Sequence, residues 1–332
     1  GQTITLLADG RARIDGSIFS ASLYGVFFPQ PDTLAPETLL VYAEPVYQQP
    51  GGRLFASTIT LFGFSPQDRA PGESIPSGVD YTEYRLDASG GGPYARFISS
   101  FTLAEGRGMI EFRSRDKAGN LEMSKSSEVF VDAHAPVTTL ALGAPKIELG
   151  DGTLLVSART EIAVFPNDPA ISTGPILVPG AGVEAAYARV ISPGWPIPGF
   201  SISAGTFSLS LPQGEKSVEF FAQDKVLNAE QTRSRKFLLD ASGPSLALFS
   251  PTPDAEGICR IFQGSVTVSG GVLDEHLSAW RLESAPGQNA MTGFSPISSG
   301  TDPVSGSLGV WDTTLLFGWQ TLRLSASDLV EN

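Results

Sequence analysis

In three segments of the chain, apolar and polar residues alternate with a period of two. Each segment ends on an aspartate, and the side chains two, four and six positions before it are apolar or small. Such alternation is typical of a β-strand with one face toward a core and the other toward water. The pattern predicts three strands whose inward positions are Ile110, Phe112 and Ser114, then Val218, Phe220 and Ala222, then Leu322, Leu324 and Ala326.

The predicted strands belong to a motif that occurs three times. Each copy closes with Leu-x-x-Gly, nine residues and Asp-x-x-x-Asn, so glycine and aspartate are always ten residues apart. The Asp-x-x-x-Asn segment favours a turn, because Asp and Asn side chains bond nearby backbone N–H groups. The closing motifs are Leu103/Gly106/Asp116/Asn120, Leu211/Gly214/Asp224/Asn228 and Leu315/Gly318/Asp328/Asn332.

Each copy opens with Asp-x-x-x-Pro, and the last strand of one unit runs directly into the opening aspartate of the next. The junctions at Asp132 and Asp240 contain no glycine-serine spacer, so we expect a semi-rigid elongated rod. The repeat predicts a strand-forming segment at residues 1–31 and three domains at residues 32–131, 132–239 and 240–332.

Other segments of the repeat also match between the three copies. Residues 54–62 match residues 154–165, with residues 264–270 as a weaker third copy. A middle strand opens with an aromatic residue, which aligns Tyr84, Tyr187 and Trp280 and makes Trp280 a core position. About seven short strands in about 100 residues are typical of an antiparallel immunoglobulin-like sandwich. The predicted fold class is therefore all-β, with three tandem immunoglobulin-like β-sandwiches.

The composition narrows the function. The chain has 36 glycines and 25 prolines among 332 residues, which disfavours long helices. A net charge of −13 argues against nucleic acid and anionic membrane surfaces as partners. The single cysteine, Cys259, rules out an intrachain disulfide, and its apolar surroundings predict burial. No run of 18 strongly apolar residues predicts a membrane span. A first residue other than Met fits removal of a leader and fits a trimmed chain equally well.

Neither end of the sequence fits the pattern of complete repeats. In the first two copies the last strand lies between the closing motif and the next opening aspartate, whereas the third copy stops at Asn332. Residues 1–31 are strand-like but belong to no complete unit. One hypothesis is a head-to-tail homopolymer in which this segment completes the third sandwich of another copy. The alternative is a piece of a longer protein, with adjacent modules at its ends. The predicted assembly residues are Ile4, Leu6, Ile14, Ile18, Leu322 and Leu324.

Residues 77–136 carry the closest likeness to a known family. Their segments SGVDYTEYRLD, GMIEFRSRDKAGNLE and VFVDAHAP resemble the immunoglobulin-like repeat of bacterial surface proteins first described in leptospiral outer-membrane proteins. The second copy, with Asp-Lys-Val-Leu-Asn in its turn, is a fair match. The third copy, through residues 270–274 and 307–315, resembles related sandwich repeats of large secreted proteins. The resemblance implies tandem, extracellular, structural or adhesive modules without catalytic residues.

Few residues are candidates for catalysis or metal binding. The two histidines, His134 and His276, lie in or beside turn-like segments without a nucleophile elbow, a phosphate loop or a histidine metal pair. We therefore predict neither an enzyme nor a catalytic site. The turns offer oxygen ligands for calcium, although no acidic partners that would complete a cage are evident. Turn bonding and calcium binding both remain open for Asp116, Asn120, Asp224, Asn228, Asp328 and Asn332.

Two tryptophans of the third copy, Trp311 and Trp319, are candidates for packing, for an interface or for a carbohydrate platform. The function predicted from these features is a non-catalytic structural subunit of an extracellular bacterial filament or surface assembly. The alternative is an adhesin, or a carbohydrate-binding stalk module of a larger secreted protein. Both interpretations place the chain outside the cell, and neither requires a cofactor other than calcium.

Overall fold

The computed structural model describes residues 3–6, 12–15, 31–70, 72, 75–86, 92–173, 176–203, 205–253, 259, 261 and 263–332, with the backbone alone at 3–6, 12–15, 171–173 and 176. Every regular element in these ranges is a β-strand, which confirms the all-β prediction. The described residues contain no helix that is long and apolar enough to cross a membrane. The chain divides into two compact units, residues 1–133 with 170–181 and residues 134–169 with 182–332.

The first unit begins with an antiparallel hairpin and continues into the first sandwich. The hairpin pairs β1 (Thr3–Leu6) with β2 (Ala12–Asp15), which sets Ile4 opposite Ile14 in the backbone register. The strands of the first sandwich are β3 (Glu37–Tyr42), β4 (Val46–Gln48), β5 (Leu54–Ala56), β6 (Phe62–Gln67), β7 (Val79–Arg85), β8 (Ala95–Arg96), β9 (Gly106–Asp116) and β10 (Lys125–Val131).

The first sandwich has a two-stranded sheet, β3-β6, and a six-stranded sheet in the order β4-β5-β10-β9-β7-β8. The last strand, β10, runs antiparallel to β9 and parallel to β5, with Val131 opposite both Gly106 and Ala56. Both edges of β10 are therefore paired, and the strand leads directly to Asp132.

The second sandwich repeats this arrangement in the second unit. One sheet has the order β11-β14-β19 and the other the order β12-β13-β21-β20-β17-β18, with the hairpin β15-β16 assigned to the first unit. The strands are β11 (Val137–Leu142), β12 (Lys146–Glu148), β13 (Leu154–Ser157), β14 (Ile162–Asn167), β15 (Ile171–Thr173), β16 (Ile176–Val178), β17 (Val183–Ile191), β18 (Ser201–Ile202), β19 (Thr206–Phe207), β20 (Gly214–Asp224) and β21 (Arg233–Asp240).

The third sandwich, also in the second unit, has two three-stranded sheets among its described residues, β22-β23-β26 and β25-β24-β27. Strand β27 is the counterpart of β9 and β20, because all three end on the closing aspartate. The strands are β22 (Ser245–Ser250), β23 (Ser265–Leu273), β24 (Leu277–Pro286), β25 (Ser295–Gly300), β26 (Val304–Asp312) and β27 (Gln320–Asp328).

Each sandwich has its own hydrophobic core, drawn from both of its sheets. The predicted inward positions of β9 and β20 are buried, as period-two alternation requires. Those of β27 are only partly buried but pack against the third core. The closing motif thus predicted all three strands and the direction of their faces. The described core centres include Phe62 and Ile110, then Ile162 and Val218, then Val272 and Leu282.

Two residue-level predictions are wrong. Tyr187 does not occupy the place of Tyr84: the register sets Tyr84 opposite Phe112, and the corresponding partner of Phe220 is Ala188. Tyr187 instead stacks on Phe221 with ring centroids 4.9 Å apart. Cys259 is exposed despite its apolar neighbours in sequence. Trp280 is buried in the third core, as expected, but the register sets it opposite Ala326, so it corresponds to Thr82 and not to Tyr84.

Candidate functional site

The Asp-x-x-x-Asn turn after β9 ties the end of that strand to the start of the repeat. Asp116 Oδ1 accepts hydrogen bonds from the backbone N–H groups of Gly119 and Asn120, both at 2.7 Å. The Asn120 amide nitrogen donates to Asp116 Oδ2 at 2.7 Å and to the carbonyl oxygen of Asp32 at 3.2 Å. The turn therefore fixes the Asp116 carboxylate and brings it toward the opening aspartate.

The other two turns use their side chains in the same way. Asp328 Oδ1 accepts from the N–H groups of Val330 and Asn332, and the Asn332 amide donates to Asp328 Oδ2 at 2.8 Å and to the Asp240 carbonyl oxygen at 3.1 Å. In the second repeat, Asp224 Oδ1 accepts from the Asn228 N–H at 2.7 Å. Turn bonding thus accounts for all six residues singled out in the sequence.

Three aspartates meet in the first repeat and form what we term the repeat-1 acidic cluster. Asp32 precedes β3, Asp68 follows β6, and Asp116 ends β9; one oxygen of each lies within 4.8 Å of the other two. Asp116 is buried, and the other two are partly buried. Asp32 Oδ2 accepts from the Ser77 N–H at 2.8 Å, and Asp68 Oδ2 accepts from the Gly78 N–H at 2.6 Å. Three separate segments of the sandwich thus converge on one point.

The repeat-1 acidic cluster has unused acceptor capacity. Asp68 Oδ1 is buried and has no hydrogen-bond partner in the protein. Among the described residues, no lysine or arginine nitrogen forms an ion pair with Asp32, Asp68 or Asp116. The hydrogen bond from the Ser77 N–H holds the pKa of Asp32 below its ordinary value, which favours a charged carboxylate.

The third repeat contains a matching set, the repeat-3 acidic cluster of Asp240, Asp274 and Asp328, whose ligand oxygens also lie within 4.8 Å of one another. Asp240 and Asp328 are buried. Burial raises the pKa of Asp274, and the charges of Asp240 and Asp328 raise it further. His276 is the neighbouring base: Nδ1 lies 3.0 Å from Asp240 Oδ2, and its backbone N–H donates to Asp274 Oδ1 at 2.7 Å.

The second repeat has aspartates at the same positions of the sequence motif, Asp132, Asp168 and Asp224. Within the first unit, Asp132 Oδ2 accepts from the Ala181 N–H at 2.7 Å. Within the second unit, Asp168 Oδ2 accepts from the Gly182 N–H at 2.7 Å. Asp132 and Asp168 therefore make the local hydrogen bonds that Asp32 and Asp68 make in the first repeat.

The acidic clusters have the chemistry of a site for a hard divalent cation. Calcium takes six to eight oxygen ligands, mostly from carboxylates, carbonyl groups and water. Each cluster supplies three carboxylates, and the orphaned Asp68 Oδ1 is an acceptor that a cation would satisfy. The Asn120 and Asn332 amides orient the turn, because their nitrogens point to the aspartate and to the opening carbonyl.

Sequence reasoning selected the closing aspartates but missed their partners. The opening aspartate marks the start of each repeat in the sequence, whereas the middle aspartate belongs to no motif. The available signal was an aspartate that follows the opening one by 36 residues in the first two repeats and by 34 in the third.

The two tryptophans singled out in the sequence differ in exposure. Trp311 is buried in the third core, whereas Trp319, directly before β27, is 52% exposed. Both line a groove of about 520 Å³. Of the predicted assembly residues, Leu322 and Leu324 are partly buried against the third core. Ile4, Leu6 and Ile14 lie in β1 and β2, where only the backbone is described, and Ile18 lies outside the described residues.

No protein-family model matches the chain, and no curated protein sequence matches it. Among solved structures, fibronectin(III)-like modules of Clostridium thermocellum CbhA match 61% of this chain and 95% of theirs, at 14% identity and a TM-score of 0.32. A tetra-tandem repeat from the extending region of a large adhesion protein matches 99% of this chain and 84% of its own, at 20% identity and a TM-score of 0.27. A 1.5-MDa bacterial ice-binding adhesin matches 91% of this chain and 98% of its own, at 11% identity and a TM-score of 0.30.

Proposed function

We propose that the chain is a non-catalytic, load-bearing spacer of an extracellular bacterial surface protein, and that calcium binds its acidic clusters and, at the repeat-3 acidic cluster, stiffens the joint between the second and third sandwiches. Support for a spacer comes from the three separate cores and from the short connections. In the second unit, β21 ends at Asp240 and β22 begins at Ser245. A connection this short limits how freely the second and third sandwiches move.

Asp240 carries the proposal, because it belongs to both sandwiches of the second unit. Its backbone closes the second sandwich, where it pairs with Ser157. Its carboxylate lies in the repeat-3 acidic cluster with Asp274 and Asp328, which belong to the third sandwich. A cation held by these three carboxylates would connect the last strand of one sandwich to two segments of the next.

Direct contacts support the same joint. The Ser242 hydroxyl donates to Gln213 Oε1 at 2.6 Å, and the Arg159 guanidinium donates to the Glu331 carbonyl oxygen. These bonds join the second sandwich to the connection and to the closing turn of the third. Both are exposed, so each contributes little by itself. Calcium at the cluster would add charge neutralisation at the centre of the joint.

Thermal unfolding with calcium and with a chelator tests the proposal. Millimolar calcium should raise the Tm of the wild-type chain, because a ligand that binds only the folded state stabilises it. Asp274→Asn should lose part of that rise, since the repeat-1 acidic cluster remains. Without calcium, Asp274→Asn should be at least as stable as wild type, because it removes like-charge repulsion. The matched control is Glu275→Gln, which removes the adjacent exposed charge. An unchanged wild-type Tm with calcium would refute the cation role.

A second candidate function is that of a filament subunit, in which residues 1–31 of one copy complete the third sandwich of another. The observation that favours it is the hairpin of β1 and β2, which shows that the N-terminal segment forms strands. Light scattering of the intact chain should then give a mass that grows with concentration, and electron microscopy should show filaments with an axial repeat. A constant monomer mass at all concentrations would reject this candidate.

A further inference from the structure

The second sandwich contains a groove that is separate from the acidic clusters. Its volume is about 750 Å³, which lies within the range of small-molecule sites. Residues of β13, β21, β20 and β17, which are neighbours in that order in the six-stranded sheet, line it together with the turn before β13. All of the lining residues are described and belong to the second unit. The groove is thus a feature of one sandwich.

Lys216 is a buried cation in the wall of this groove. It is 5% exposed, and its Nζ donates to the carbonyl oxygens of Gln213, Gly214 and Glu215 at 3.2–3.5 Å, which is long for hydrogen bonds. Among the described residues, no carboxylate forms an ion pair with it. Burial lowers the pKa of Lys216, because a charged ammonium is unfavourable away from water. An anion in the groove would offset this penalty.

Two exposed cations of β21, Arg235 and Lys236, line the same groove. Neither forms an ion pair with a carboxylate in the part of the chain that the structure describes. In the first repeat, Arg107 and Glu128 hold the positions of Glu215 and Lys236 and form an ion pair. The charges at these positions are exchanged in the second repeat, and Glu215 and Lys236 do not pair. Lys236 therefore remains available to a ligand.

The three cations occur together only in the second repeat. Gly108 and Gln320 take the place of Lys216 in the other two repeats, and Ser127 takes the place of Arg235 in the first. The positive charge at this groove is therefore no requirement of the repeat fold, which forms without it in the first sandwich.

The other polar groups of the groove narrow the chemistry of the ligand. Asp151 and Glu215 line it and can accept hydrogen bonds from hydroxyl groups, and Thr153, Ser217 and Ser234 add hydroxyls of their own. Two carboxylates beside three cations, in a chain with a net charge of −13, disfavour a densely charged polyanion such as a nucleic acid. The groove fits a ligand that combines an acidic group with several hydroxyl groups.

We propose that this groove binds an acidic saccharide, a sugar that carries a carboxylate or a sulfate group. Lys216, Arg235 and Lys236 bind the acidic group through charge-assisted hydrogen bonds. Asp151, Glu215 and the hydroxyl side chains bind the sugar hydroxyls. The second repeat thereby adds a ligand site to the spacer.

Calorimetric titration of the full chain tests this site, in calcium-free buffer so that no ion bridges the saccharide to the acidic clusters. The probes are trigalacturonate and a sulfated heparin disaccharide, which distinguish a carboxylate from a sulfate as the acidic group. The controls are the methyl ester of trigalacturonate, which keeps hydroxyl groups without charge, and triglutamate, which keeps carboxylates without sugar hydroxyls. At least one acidic saccharide should bind about tenfold or more tightly than both controls.

Variants of the cations locate the binding. The double variant Arg235→Gln/Lys236→Gln should weaken saccharide binding about tenfold or more, because charge-assisted hydrogen bonds are lost at two exposed positions. Lys216→Gln, which introduces the residue of the third repeat, should weaken it in the same direction. The matched control is Arg281→Gln, which removes an exposed cation from the third sandwich and should leave the affinity unchanged.

Nuclear magnetic resonance of the backbone amides should show shifts on saccharide binding at residues 151–154, 215–217 and 234–238. No binding of either acidic saccharide at millimolar concentration would overturn the proposal. Equal binding of the methyl ester or of triglutamate, shifts confined to other residues, or an equal loss in Arg281→Gln would also contradict it. The titration does not involve the acidic clusters, so its failure leaves the spacer proposal intact.

Discussion

Thr38 and Thr138 occupy the same position in two repeats but have different partners. The Thr38 hydroxyl is bonded to Ser114 at 2.6 Å and to Glu122 at 2.5 Å. The Thr138 hydroxyl is buried without a hydrogen-bond partner: Ala222 stands where the first repeat has Ser114, and the Glu230 carboxylate accepts from the Thr138 N–H and not from the hydroxyl. A buried unsatisfied hydroxyl costs about 1–3 kcal/mol, whereas a satisfied one contributes to stability.

The two threonines should therefore respond oppositely to the same substitution. Thr138→Val should leave the second repeat unchanged or stabilise it by up to about 1 kcal/mol, because valine has the same shape without the hydroxyl. Thr38→Val should destabilise the first repeat by about 1–3 kcal/mol. Native-state hydrogen exchange of the β11 and β3 amides measures the stability of each repeat separately. Equal losses in both repeats would contradict this account.

Glu122 makes the stability of the first repeat depend on pH. It is 7% exposed and accepts bonds from the Thr38 N–H at 2.9 Å, the Ser114 N–H at 3.0 Å and the Lys125 ammonium at 2.8 Å. Burial pushes the pKa of Glu122 upward, but the hydrogen bonds from Lys125 and Thr38 outweigh it and hold the pKa below its ordinary value of 4.5. A lowered folded-state pKa stabilises the fold above pH 4.5, and that contribution is lost as the pH falls through the folded-state value.

Glu122→Gln should therefore lower the stability of the first repeat at pH 7, and the difference from wild type should shrink as the pH falls below 4.5. The measurement is hydrogen exchange or thermal unfolding at several pH values. Glu148→Gln, at an exposed site in the second repeat, is the matched control and should have no such dependence. A pH-independent difference would mean that the Glu122 charge is not what stabilises the repeat.

Single residues are where sequence reasoning was least accurate. Tyr187 looked equivalent to Tyr84 because both open a middle strand, but the pairing register differs by one residue and places it on the other face. Cys259 looked buried because its neighbours in sequence are apolar, yet it is exposed. Burial of one side chain depends on register and on neighbouring strands, which a single segment does not reveal.

Among the elements, the closing turn has a similar backbone conformation in all three repeats although its residues differ. The residue before the asparagine has a positive φ in all three turns, at Gly119 (100°), Leu227 (68°) and Glu331 (64°). A left-handed conformation costs a residue with a Cβ atom roughly 1–2 kcal/mol, and glycine avoids this penalty. The first turn is thus less strained than the other two.

Leu227→Gly should stabilise the second repeat by about 0.5–1 kcal/mol, because Leu227 is 56% exposed and its removal costs little packing. Gly119→Leu is the reciprocal change and should destabilise the first repeat by about 1–2 kcal/mol. Denaturant unfolding combined with hydrogen exchange assigns each effect to its repeat. A loss of stability in Leu227→Gly would show that the leucine side chain matters more than the backbone strain.

The closing strands were predictable because period-two alternation and a fixed ten-residue spacing act together in all three repeats. The acidic clusters were only half predictable. Asp116 and Asp328 stood out within a motif, whereas Asp68 and Asp274 are single residues that tertiary structure brings to the turn. Contacts between distant segments leave a sequence signal only through repetition, and here that signal was one aspartate per repeat.

At the scale of the whole molecule, the joint between the second and third sandwiches decides how a spacer transmits force. Asp240 is 7% exposed and anchored in the β13–β21 pair, so its carboxylate is fixed relative to the second sandwich. Asp274 and Asp328 are fixed in the third sandwich by their hydrogen bonds to the backbone N–H groups of His276 and Val330. Without a cation, the like charges of the three carboxylates repel one another across the joint. A bound cation would attract all three carboxylates and so hold the two sandwiches together.

Calcium should therefore narrow the distribution of distances across this joint. Spin labels at Ser234→Cys and Ser305→Cys, both exposed, report on it when Cys259 is replaced by serine. Pulsed electron paramagnetic resonance should give a broad distribution with chelator and a narrow one with millimolar calcium. Asp274→Asn should keep the broad distribution under both conditions, whereas Glu275→Gln should behave as wild type. If calcium raises the Tm but leaves the distribution unchanged, the ion stabilises the sandwich without stiffening the joint, and the mechanical part of the proposal is wrong.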